Sequence, residues 1–136
     1  MSKFIPILFL LISPLLASDF INQRQDSMQD FNKLMRAATQ SLKNGETGGL
    51  SQIYGDIESI MQTYPTLFPD DSFDGKTKAS KNIIEDRSTF DQIANDASEW
   101  AALAKIASDN DDLETLQQHH QNLYGSCKSC HSRFKN

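Results

Sequence analysis

Apolar residues recur at three- and four-residue steps in four separate stretches of the chain, the spacing that places them on one face of a helix. The first stretch runs from about Phe20 to Lys43, with Met28, Phe31, Met35, Ala38 and Leu42 forming a seam. Asn44-Gly45 closes it, and the glycine is free to take a left-handed cap. The second runs from about Leu50 to Tyr64, where Leu50, Ile53, Tyr54, Ile57, Ile60, Met61 and Tyr64 give a broad apolar face and Pro65 stops it. The third runs from about Ser80 to Ser108, turning Phe90, Ile93, Ala94, Ala97, Trp100, Ala101 and Ala104 inward. Its alanines permit close approach of a neighbour. The fourth is expected to begin at Asn110-Asp111, with Glu114 three residues on as in a capping box. Its stripe is Leu113, Leu116, His120, Leu123, Cys127, Cys130 and Phe134.

Between the second and third stretches, Pro65 to about Ala79 is rich in turn formers, yet it holds Leu67, Phe68 and Phe73. It is expected to pack rather than to float. No run shows the alternation of a half-buried strand, and there are no internal repeats. The pattern predicts an all-α protein, an antiparallel four-helix bundle.

Composition and charge narrow the setting. Lys3 followed by the apolar run Ile5–Ile12, broken by Ser13-Pro14 and ending near Ala17-Ser18, predicts a signal peptide over residues 1–18. It is too short for a comfortable membrane span. Residues 19–136 then form one domain. The formal net charge of −5 becomes one unit more negative when Lys3 is removed, which argues against nucleic acid and against attraction to anionic lipid.

The chemistry sits on the fourth stripe. Cys127-Lys128-Ser129-Cys130-His131 spells C-x-x-C-H, the spacing for attaching haem c through two thioethers with the next histidine on the iron. Positions three apart share a helix face, so both sulfurs can reach one edge of a planar ring. Three other readings compete. A thioredoxin-type pair normally opens a helix after a strand, and no strand precedes this one. A zinc site needs more ligands, and His120 would stand ~16 Å from His131 along a helix. A disulfide closing three residues inside a helix is strained. Haem attachment is the reading favoured, and export suits it, since haem c is attached outside the cytoplasm.

Several features taken together resemble the cytochrome c′ and cytochrome c556 group of class II c-type cytochromes. The C-terminal run Gly125–Lys135 looks like that family's terminal haem-binding helix. Arg24-Gln25-Asp26-Ser27-Met28 resembles its R-Q-x-x-(M/L/F/Y) element, and Leu67-Phe68-Pro69 and Ile83–Phe90 its connecting loop and third-helix opening. The resemblance implies one covalently bound haem c per chain, with Cys127 and Cys130 as thioethers and His131 as the axial ligand. It implies that Arg24 and Gln25 lie at the haem edge, Arg24 able to pair with a propionate, and that Met28 stands opposite His131. Two positions depart from the family pattern: Ile84 stands where tryptophan is frequent, and Lys135 where arginine is frequent.

Met28 separates two functions. If its sulfur is the sixth ligand, the protein is a periplasmic carrier of electrons by Fe(III)/Fe(II) cycling. If it only packs over the haem, the iron is five-coordinate and open to nitric oxide or carbon monoxide. A catalytic enzyme is not expected, since Met28 offers no distal acid or base. His119 and His120 read as surface or seam polar groups, Trp100 as core or a helix-helix contact, and Tyr124 as packing against the porphyrin or the first helix. Asp109, Asp111 and Asp112 read as helix-terminus chemistry. Members of the family often pair through their first two helices, which implies a homodimer; the redox partner is unspecified.

Overall fold

The computed structural model describes residues 16–136. The expected leader falls almost wholly on residues outside that range; Ala17 and Ser18 open the first helix. Five helices follow in order, α1 (Ala17–Lys43), α2 (Leu50–Thr63), the short α3 (Asn82–Glu85), α4 (Arg87–Asp109) and α5 (Leu113–Phe134), with a 3-10 turn at Tyr64–Leu67. The four long helices form the bundle. Among the described residues the only extended pairing is a single antiparallel bridge, Ala79 with Lys135.

The predicted seams are the buried ones. Phe31, Met35 and Ala38 of α1 meet Leu50, Tyr54, Ile57 and Met61 of α2, the alanines of α4, and Leu116 and Leu123 of α5 in one core. Ala38, Leu50, Ala101, Ala104 and Leu116 have no exposed surface. A second cluster of Phe68, Phe73, Ile83, Phe90 and Phe134 joins the connecting loop to α3, α4 and the end of α5. The loop therefore packs, as its phenylalanines required.

The helix ends follow local chemistry. Gly45 sits at φ 69°, in the left-handed region, and Glu46 N–H reaches back to Ser41 O at 2.9 Å to satisfy a terminal carbonyl. Pro65 falls at the start of the 3-10 turn that ends α2.

Two expectations are corrected. The third helix is not continuous: Asp86, at φ −127° and ψ 54°, separates α3 from α4. Three contacts anchor this joint to the C-terminus. Ser80 N–H donates to Phe134 O at 2.8 Å, Asn82 Nδ2 donates to Arg133 O at 3.4 Å, and Arg133 pairs with Asp86 at 3.1 Å. These contacts hold the first turn against α5, so the chain breaks before α4 aligns with the bundle. The last helix is capped by Asp112, whose carboxylate accepts from Thr115 N–H at 3.2 Å. Asp111 lies at φ 53° in the turn itself, so no capping box forms with Glu114.

α4 lies between α2 and α5 and packs extensively on both, whereas α1 and α5 barely touch. That thin seam opens at the end where α5 finishes.

Candidate haem-binding cavity

The opening between α1 and α5 is a cavity of about 660 Å³, within the ~300–1,000 Å³ range of cofactor sites. Four elements wall it. α1 supplies Arg24, Gln25 and Met28, α5 supplies Cys127, Cys130 and His131, α2 ends in Met61 and Tyr64, and α4 contributes Ile93, Ala94 and Ala97. All six residues singled out in the sequence thus line one space, although Arg24 and His131 are separated by most of the chain.

The two thiols lie half-buried and unpaired. Burial raises both, Cys130 up to about 11 with the neighbouring Cys127 adding to the effect. A redox-active C-x-x-C needs the opposite, a thiol held low by positive surroundings. His131 is held below its ordinary value by burial first and by the Lys135 ammonium second. Its imidazole is therefore neutral at physiological pH, the form that ligates a metal. Among the described residues no group of three or more His, Cys, Asp or Glu side chains could hold a metal ion. The zinc reading, and a metal role for Asp109, Asp111 and Asp112, thus find no such cluster among these residues to support them.

Arg24 is buried, with 3% of its surface exposed. Its guanidinium donates to Leu67 O at 3.1 Å, to Ser72 Oγ at 2.9 Å and to Ser72 O at 2.8 Å. It also stacks 4.5 Å over the Phe68 ring. Arg24 thus clamps the connecting loop to α1 and builds one wall of the cavity, a task that its place in the sequence did not reveal. Gln25 adds a second tie, donating to Lys76 O at 3.1 Å. Met28 is half-buried and faces the cavity from α1.

Tyr64 and Met61 also escaped the sequence reading as site residues. Tyr64 packs edge-on against Phe68, with ring centroids 5.1 Å apart. Burial pushes its hydroxyl up to about 12, the nearby Cys130 thiol adding to the rise and Arg24 opposing it. In the sequence both belong simply to the apolar face of the second helical stretch. Tyr124, by contrast, does not line the cavity and is 63% exposed, because it falls one step off the seam of Leu123, Cys127 and Cys130. The adjacent histidines lie elsewhere. His120 is buried, with Nδ1 2.9 Å from Tyr54 Oη and Nε2 3.0 Å from Thr39 Oγ1, and His119 stacks on Trp100 at 5.7 Å.

Two free thiols three residues apart, a neutral imidazole one residue further on and a largely apolar space between helices define a bundle-type haem c protein. The chain belongs to the cytochrome c′ family, whose model, described as Cytochrome C′, matches residues 19–135. A cytochrome c′ of Rhodospirillum rubrum is 37% identical over 81 residues, covering 58% of this chain and 54% of that relative, about half its length. The cytochrome c prime of Shewanella frigidimarina superposes with a TM-score of 0.83 at 22% identity, covering 91% of this chain and 99% of that one. A ferrous variant of the cytochrome c prime of Alcaligenes xylosoxidans with bound NO superposes with a TM-score of 0.77 at 20% identity, covering 91% and 98%. Haem c is the cofactor of this chain.

Proposed function

We propose that this protein is an exported, periplasmic electron carrier, with a single haem c held by Cys127, Cys130 and His131 and with Met28 as sixth ligand. The haem supplies an iron that cycles between ferric and ferrous states. The residues of the chain supply the rest. Cys127 and Cys130 fix the ring to α5 and His131 presents a neutral nitrogen. The Arg24 clamp keeps the wall of the cavity in place, which limits reorganisation when the charge changes. The apolar lining keeps water away.

The observation that carries the reading is the position of Met28. It reaches the cavity from α1 while His131 reaches it from α5, the helix across the thin seam. A thioether there raises the potential and suits electron transfer. Met28 packs against the core cluster that includes Phe31 and Met61, neither of which is an acid or base, as suits a carrier.

The second reading is a five-coordinate haem that binds nitric oxide or carbon monoxide. It is favoured by the NO-bound relative and by the half-buried packing of Met28 against the core, the ordinary fate of a methionine. A homodimer is proposed with either reading, on the resemblance alone. No helix among the described residues is long and apolar enough to cross a membrane.

One spectrum separates the two. Ferric protein with a methionine-to-iron charge-transfer band and no carbon monoxide binding in the ferrous state supports the carrier. A high-spin spectrum with ready carbon monoxide binding overturns it. Met28→Ala should convert the first behaviour into the second.

A further inference from the structure

The charge of the cavity is opposite to that of the protein. The chain is acidic, at −5, yet every charged residue lining the cavity is a cation: Arg24, Lys76, Lys78 and Lys135. Arg24 is buried in its clamp, while the three lysines are exposed at the mouth. The backbone holds them there. Asn136 N–H donates to Lys78 O at 2.7 Å and Ser80 N–H to Phe134 O at 2.8 Å, around the Ala79–Lys135 bridge. Gln25 fixes Lys76 from the other side. The two ion pairs among the described residues, Arg87 with Asp70 and Arg133 with Asp86, use none of these lysines.

The two haem carboxylates can offset two of the four cations, so the loaded mouth stays positive. A reagent or protein approaching it feels those lysines most strongly. Exposed acids flank this rim in sequence, Asp74 two residues before Lys76 and Asp26 beside Gln25, but none lines the cavity, and charges more than ~10 Å away are screened at 0.1 M salt.

We propose that this lysine-rimmed mouth is the docking surface for a redox partner whose contact face is acidic, despite the acidity of the chain as a whole. The inference rests on the electron-carrier reading. Complementary charge concentrates a partner at the mouth of the cavity that receives the haem, and it orients the encounter. Acidity of the whole chain would instead favour a basic partner, so the two views predict opposite salt effects.

Ferrous holoprotein mixed with hexacyanoferrate(III), an anionic oxidant, provides the test. The rate should fall as salt rises from ~0.05 to ~0.3 M, and the rate with a cationic tris(phenanthroline)cobalt(III) oxidant should rise. The double variant Lys76→Glu/Lys78→Glu, with its visible spectrum unchanged, should reverse the hexacyanoferrate trend and slow that reaction by about tenfold at the lower salt. Polyglutamate should slow the reaction of the parent protein and spare that of the variant. A hexacyanoferrate rate that rises with salt, or one that the double variant leaves unchanged, overturns the proposal. So does polyglutamate without effect on the parent. The electron-carrier reading fails on a different measurement, carbon monoxide binding, so the two failures are told apart.

Discussion

At the end of the bundle formed by the α1–α2 and α4–α5 turns, Ala38, Leu50, Tyr54, Ala104 and Leu116 are sealed from solvent by one another. At the opposite end the same four helices splay around about 660 Å³ of space. Alanine facing alanine or leucine lets helices close at the first end, and Thr47 Oγ1 donating to Asp111 Oδ1 at 2.9 Å ties its two turns together. The second end carries Met28, Cys127 and Cys130 on the same seams, with a loop in place of direct α1–α5 contact. The periodic pattern thus runs through both ends, but only one of them closes by itself. The other takes haem where side chains are missing, and burial of the haem adds apolar contact to that end of the core.

The largest effect should come from breaking the open end. Cys127→Ala with Cys130→Ala should abolish covalent haem altogether, seen as the loss of one haem mass from the intact protein. Amide exchange should then accelerate in residues 68–81 and 125–135 far more than in 50–57 and 101–107. Equal acceleration at both ends would erase the distinction drawn between them.

A break at the closed end should do the reverse. Leu116→Ala removes a side chain with no exposed surface and should cost ~2–5 kcal/mol, read by urea unfolding, with the haem spectrum unchanged. Tyr54→Phe is milder. It leaves His120 Nδ1 without its partner at 2.9 Å and should cost ~1–3 kcal/mol, again without spectral change.

The smallest effect is a pH dependence at the same histidine. Burial holds the pKa of His120 below its ordinary 6.5, so the unfolded chain binds its proton more readily than the folded one. The stability contributed by His120 is therefore complete above pH 6.5. It declines as pH falls below that value towards the lower pKa of the folded state. His120→Gln should flatten that part of the profile of Tm against pH.

Much of this contrast was legible in the sequence, for identifiable reasons. The helical period located the four long helices, and the seam on α5 carried Cys127 and Cys130 into the interior with no further information. Contributions from irregular backbone were not legible. The hydrogen bonds of Arg24 go to Leu67 and Ser72, residues that no periodicity links to α1. The lysines at the mouth owe their place to a bridge between the loop and the C-terminus. The break at Asp86 arises from anchoring to α5 residues almost fifty positions away. The hydrogen-bonded triad of Thr39, Tyr54 and His120 draws on three helices, whereas periodicity shows only that His120 lies on a seam. Tyr124 shows the precision required: one position off the stripe turned an expected contact with the porphyrin or the first helix into a surface residue.

The central claim is that haem bonded to Cys127 and Cys130 completes the open end. It is tested most directly by proteolysis and mass mapping of the purified holoprotein. The account predicts one haem mass joining the peptides that carry Cys127 and Cys130, with no free thiol at either position. Free thiols, or a disulfide between these two cysteines, in protein that is otherwise folded would contradict it.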